Sequence, residues 1–122
     1  MLEVGTTVYE VKSLFNGNTT IKKIVIRPHH THIWNDPEFG PQEIDTTDET
    51  ATADITDLVT HKTEKDVMVC VLQAQVIEKA LKEGMAETDF SCIYTDRKSA
   101  VEDYNRHIQT QIDWLESRKL SV

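Results

Sequence analysis

The chain of 122 residues has no Lys or Arg between Arg27 and Lys62. That window holds eight carboxylates, Asp36, Glu38, Glu43, Asp45, Asp48, Glu49, Asp54 and Asp57, and it carries the whole formal charge of −8. Elsewhere acids and bases balance, so the acidity belongs to one central segment. One side of the fold should repel phosphate polymers and anionic lipid, which argues against long nucleic acid and membrane surfaces as partners. Long apolar runs are also missing. The longest, Val67 to Leu72, has six residues, against about 20 needed to span a bilayer. The amino end, Met1 to Gly5, lacks the basic start and apolar stretch of a secretory signal, so a cytoplasmic location is expected. With two cysteines, Cys70 and Cys92, in apolar surroundings, reduced buried thiols are expected rather than a disulfide. Four glycines, none clustered, disfavour a Gly-rich phosphate loop and a dinucleotide fold, and no cofactor is implied.

What is present fits one domain, residues 1–122, with apolar content of 39% and charged content of 28% in the ordinary globular range. Residues 1–61 read as a β-sheet region. Val4 to Val11 and Thr20 to Arg27 alternate around Asn16-Gly17, which predicts a hairpin with a tight turn. Pro28 should end the second strand. Thr31 to Trp34 and Gln42 to Ile44 are further short strands, separated by the turn signals Asn35-Asp36-Pro37 and Phe39-Gly40-Pro41. Residues 45–54 offer no large apolar anchor and read as an exposed acidic loop, followed by a half-buried strand at 55–61.

Residues 62–122 read as a two-helix region. Thr63 with Asp66 resembles a capping box and Gly84 a helix stop, which predicts helix one over 64–83, with a strand at 67–72 as the competing reading because of its valines. Such a helix is apolar on nearly all sides at Val67 to Leu72 and would need cover from a neighbouring subunit or a second helix, so a homo-oligomer is expected. Phe90 to Tyr94 is a short strand. Thr95 then caps a long helix over 96–119, whose stripe is Val101, Tyr104, Ile108, Ile112 and Leu115, with Trp114 on its shoulder. The fold class is α+β: an amino-terminal antiparallel sheet followed by two long helices with a short strand between them.

The histidines His29, His30 and His32 could ligate zinc, but alternation along a strand puts His29 on the opposite face from the other two. A third ligand would have to come from His61 or Asp57, and no metal is expected. Cys92 beside Ser91 lacks a strained Gly-rich turn and reads as a core thiol, so no catalytic residue is assigned. Acid pairs such as Asp48-Glu49 or Asp54-Asp57 read as solvated loop charges. The remaining chemistry is anion and base recognition. Arg97 and Lys98 open the second helix, where backbone N–H groups and the dipole favour phosphate. Asn105 and Arg106 add amide and guanidinium donors, and Arg27 another cation. Trp34, Phe39, Phe90 and Tyr94 offer faces on which a base could stack.

The opening Val4-Gly5-Thr6-Thr7-Val8-Tyr9, the loop Trp34-Asn35-Asp36-Pro37-Glu38-Phe39-Gly40 and the ending Phe90-Ser91-Cys92-Ile93-Tyr94-Thr95-Asp96 with its long helix resemble small phage-encoded proteins. In length and element order the plan is similar to the first family of Thoeris anti-defence proteins, sponges for cyclic ADP-ribose-type signals. The resemblance implies an oligomer that holds a small nucleotide signal between subunits without cleaving it. It does not assign residues, and the binding set above comes from local chemistry. The alternative is an acidic protein-protein interaction or inhibitor module of phage or bacterial origin. A zinc hydrolase built on the histidines ranks third.

Overall fold

A computed structural model describes residues 2–13, 18–27, 31–45 and 51–121. In chain order the elements are β1 (Thr7–Ser13), β2 (Thr19–Arg27), β3 (Thr31–Asp36), β4 (Gly40–Asp45), β5 (Ala51–Asp57), β6 (Thr63–Val69), α1 (Val71–Glu83), β7 (Met85–Glu87), β8 (Ser91–Tyr94) and α2 (Arg97–Ser117). Six strands form one antiparallel sheet in the order β6-β5-β2-β1-β8-β7, while among the described residues β3 and β4 pair only with each other. This is the expected α+β plan, with β7 as an additional strand between the helices. No helix among the described residues is long and apolar enough to cross a membrane.

Alternation along the strands sends successive side chains to opposite faces and thereby builds two cores. Val8, Ile24, Ile26, Ala53 and Ile93 face α1, whose Ile77 and Ala80 are buried against them. Val11 and Ile21 face the other way and meet Ala100 of α2, with Tyr94, Val101 and Tyr104 packed around them. The helices therefore lie on opposite faces of the sheet. Along α2 the expected stripe is half-buried at Val101, Tyr104 and Ile108, but Ile112 and Leu115 are 41% and 58% exposed. Near that point Gln111 Nε2 donates to Thr19 Oγ1 at 2.7 Å, at the first residue of β2. Beyond it, Trp114 is covered by the Arg118 guanidinium, 4.6 Å from the ring centroid.

Several sequence expectations change here. Helix one does not begin at 64: residues 63–69 form β6, and α1 starts at Val71. Val69 and Val67 pair with Ala51 and Ala53 of β5, so the valines follow their β-branched preference and Val69 is buried at 4% exposure. The expected Thr63–Asp66 capping box is absent; Asp66 has φ of 56°, outside the helical region, and its N–H donates to Asp54 Oδ1 at 3.2 Å. Cys70 is the N-cap instead, exposed rather than buried. The all-round apolar helix that motivated the oligomer is therefore not present.

The acidic loop at 45–54 is also revised, since Asp45 ends β4 and residues 51–54 belong to β5. Residues 46–50 lie outside the described set, as do the Asn16-Gly17 turn and Pro28. The strand expected at 55–61 ends at Asp57. The Asp57 Oδ1 accepts from the N–H groups of Val59 and Thr60 at 2.8 and 3.0 Å, and this side-chain turn competes successfully with extension. Those bonds, Thr60 first, hold the Asp57 carboxyl below its usual range.

Strand and helix assign different periods to residues 67–69, so substitution separates them. Val69→Asp should abolish cooperative folding by burying an unpaired carboxylate, whereas Met68→Asp, at a position 45% exposed, should cost about 1 kcal/mol or less. Urea unfolding followed by circular dichroism checks both, and Ile77→Ala should lower stability by about 2–5 kcal/mol in the same assay.

Candidate functional site

Because α2 packs over β1, β2 and β8 and β7 is a three-residue edge strand, part of the sheet face on the α2 side remains open. A groove of about 550 Å³ lies there. Its floor includes Val11, Cys92 and Tyr94; its outer wall is Met85, Glu87 and the Thr88–Ser91 turn that carries Phe90; its inner wall is Asp103, Arg106 and His107 of α2. Spacings of three and four put the last three on one helix face.

Asp103 is the hub. It is 6% exposed, and its carboxylate accepts from the Tyr94 hydroxyl at 2.8 Å and from Arg106 Nη2 at 3.1 Å. His107 Nε2 lies 3.4 Å from the same Oδ1 as Arg106. A buried carboxylate with both oxygens supplied by donors avoids the penalty of an unpaired charge. Burial pushes the Tyr94 phenol well above its ordinary range, and the bond to Asp103 adds to this by favouring the protonated form. The Cys92 thiol is pushed up by burial and then by the carboxylates of Asp103 and Glu87. A thiol held protonated is a poor nucleophile, in line with the reading of Cys92 as a packed thiol, although it is half-buried on the groove floor rather than in the core.

Of the predicted binding residues and stacking faces, Phe90, Tyr94 and Arg106 line this groove. Asn105 neighbours Arg106 but is exposed one helical step, about 100°, around α2. Arg97 and Lys98 begin α2 and are exposed. Arg97 stands nine residues before Arg106, about half a turn away in rotation and roughly 13 Å along the axis, so the two point to opposite sides. Thr95 is not the cap: Asp96 is, and its Oδ2 accepts from Ser99 N–H at 2.8 Å. That bond holds the Asp96 carboxyl below its usual range, placing a carboxylate where phosphate was expected. Arg27, at the end of β2, pairs with Asp54 at 3.4 Å. Phe39 is 76% exposed at the β3–β4 turn, and Trp34 sits in β3 opposite Gln42.

The sequence reading missed Asp103, His107 and Glu87, and treated Tyr94 only as a stacking face. The signal available was an acid followed by bases at three and four positions along the predicted helix. His29 and His30 lie outside the described residues, and His32 is in β3 opposite Ile44. Among the described residues no group of three or more His, Cys, Asp and Glu side chains is arranged to hold a metal ion. No protein-family model, curated protein or solved structure matches the chain. What the groove can do is read from its chemistry.

The network makes a titration prediction. Because the neutral Tyr94 phenol is favoured in the fold, its contribution to stability is present below the ordinary phenol range. It is lost as pH rises from that range towards the folded value. Ultraviolet titration of the folded protein should show a late phenol step, and Tyr94→Phe should remove it. If the Tyr94→Phe difference spectrum instead shows an ordinary phenol, the bond to Asp103 is not formed in solution.

Proposed function

We propose that the chain binds a small cyclic nucleotide or cyclic ADP-ribose-type signal in this groove and sequesters it without cleaving it, acting as a sponge in the cytoplasm. The observation that carries the reading is the meeting of Arg106, with His107 beside it, and Phe90, 47% exposed, around one groove. A guanidinium suits a phosphate, and an aromatic face suits a base. A volume of about 550 Å³ falls within the range of roughly 300–1,000 Å³ for small-ligand sites. Glu87, Asp89 and Asp103 also line the groove, which favours a compact ligand with few phosphates over a polyanion. Binding without cleavage fits the protonated Cys92 thiol and the Thr88 and Ser91 hydroxyls, which bond each other at 2.8 Å.

Calorimetry with cyclic ADP-ribose isomers and cyclic oligonucleotides tests this, and chromatography of the released ligand tests whether it was cleaved. Arg106→Ala should weaken binding about 10- to 100-fold, whereas Arg97→Ala, on the other side of α2, should leave it unchanged. Absence of binding across the panel, or equal loss in both variants, contradicts the assignment.

Assembly into a homo-oligomer is part of the proposal. Its remaining support is the exposed pair Val71 and Leu72, 38% and 74% accessible, at the start of α1. Light scattering should give at least a dimer, and Leu72→Glu should reduce it; a 14.0 kDa species at micromolar concentration removes this element.

A second reading, an acidic protein-interaction module, is favoured by the β3–β4 hairpin. Among the described residues its strands pair only with each other, and it exposes Phe39 in a stretch without Lys or Arg. Replacing residues 28–50 by a short turn separates the readings: nucleotide binding should survive the deletion if the groove is the site.

A further inference from the structure

The two walls of the groove are chemically unlike. The α2 wall presents Arg106 and His107, whereas the β7 wall and the turn after it present Glu87 and Asp89. Neither of these two carboxylates forms an ion pair among the described residues. Strand alternation fixes which way Glu87 points: Ala86 is buried at 3% exposure on the α1 side, so Glu87 stands on the groove side. There its register partner is Cys92, whose thiol feels the Glu87 carboxylate. A ligand whose phosphate meets Arg106 therefore has its far end against hydrogen-bond acceptors.

Resting on the nucleotide-binding reading above and narrowing it from ADP-ribose-type ligands to guanine nucleotides, we infer that the groove takes a guanine base in preference to adenine, with its donor edge on the Glu87 and Asp89 wall. An ionised carboxylate only accepts hydrogen bonds, through two adjacent oxygens. The Watson–Crick edge of guanine offers N1–H and N2–H as adjacent donors and can meet both oxygens at once. Adenine offers one donor, N6–H, beside the N1 lone pair, which would face an acceptor. A polar site that leaves such a group unmatched rejects the ligand, as a bidentate base contact discriminates by about 1–3 kcal/mol. Hypoxanthine keeps N1–H but lacks the 2-amino group and stands between them.

The test is calorimetry of the full chain with the 5′-monophosphates of guanosine, inosine and adenosine, which share one phosphate and differ at the base edge. The guanosine nucleotide should bind about tenfold tighter than the adenosine nucleotide, with the inosine nucleotide in between. Glu87→Gln replaces one acceptor by a donor and should abolish the guanine preference, and Asp89→Asn shows whether the second carboxylate shares the role. Circular dichroism of each variant should match the parent chain. Equal affinity for the three nucleotides, or a guanine preference that persists in both variants, overturns this inference while leaving the groove as a nucleotide site. No binding of any nucleotide overturns both.

Discussion

The Asp103 carboxylate lies between α2 and the sheet, where charge has little access to water, and it has to be matched by donors from both sides. Tyr94 of β8 supplies one from the sheet, and Arg106 supplies another from the next turn of the helix. Removing one partner of a buried charge typically costs about 3–5 kcal/mol, more than most single apolar contacts contribute. The bond therefore fixes the rotation of α2 as well as its attachment. Small Ala100 packs onto Val11 and Ile21, which admits the helix over the sheet, and Asp103 one turn later sets which side chains face β8. Arg106 and His107 then follow at the groove by helix geometry.

The sheet supplies the other half. β1 is central, pairing with β2 on one side and β8 on the other. α2 leans towards β2, so the β8 and β7 strip stays open beside it. At the opposite edge β6 carries Glu64, Lys65 and Asp66, with a register shift between Ala53 and Ile55 of its neighbour. Charge and irregular pairing of this kind discourage edge-to-edge association. Between β2 and β5, which pair directly through Arg27 and Thr52, the chain inserts a hairpin that the main sheet does not use for pairing. Of the acid-rich stretch, Asp54 and Asp57 lie on β5, in the half of the sheet away from the β7 edge where the groove lies.

Much of this was legible in the sequence because local chemistry and tertiary context agreed. The β1 and β2 strands were legible as β-prone runs on either side of Asn16-Gly17 and β8 as the run ending at Tyr94, and Gly84, with φ of 87°, ends α1 as expected. The Val67 to Leu72 run was ambiguous, since a short apolar stretch suits both a buried strand and a helix. Pairing with β5, a long-range fact, decided it. The first half of β5 was hidden because Ala51, Thr52 and Ala53 have small side chains; Thr52 and Ala53 are fully buried without the bulky residues that usually mark a core strand. At the site, Arg106 and Phe90 were found as a cation and an aromatic. Their meeting depends on β7, too short to show a period. At the helix terminus that carries Arg97 and Lys98, the sequence did not show that Asp96 caps the terminus itself.

If Asp103 couples the sheet to α2, removing its phenol partner and its charge should not be independent events. A double-mutant cycle of Tyr94→Phe and Asp103→Asn, measured by urea unfolding, isolates that coupling from the separate costs of each change. The structure predicts a coupling energy of about 1 kcal/mol or more. Additivity within about 0.3 kcal/mol would show that the two groups do not meet in solution and would remove the constraint that orients Arg106 and His107 toward the groove.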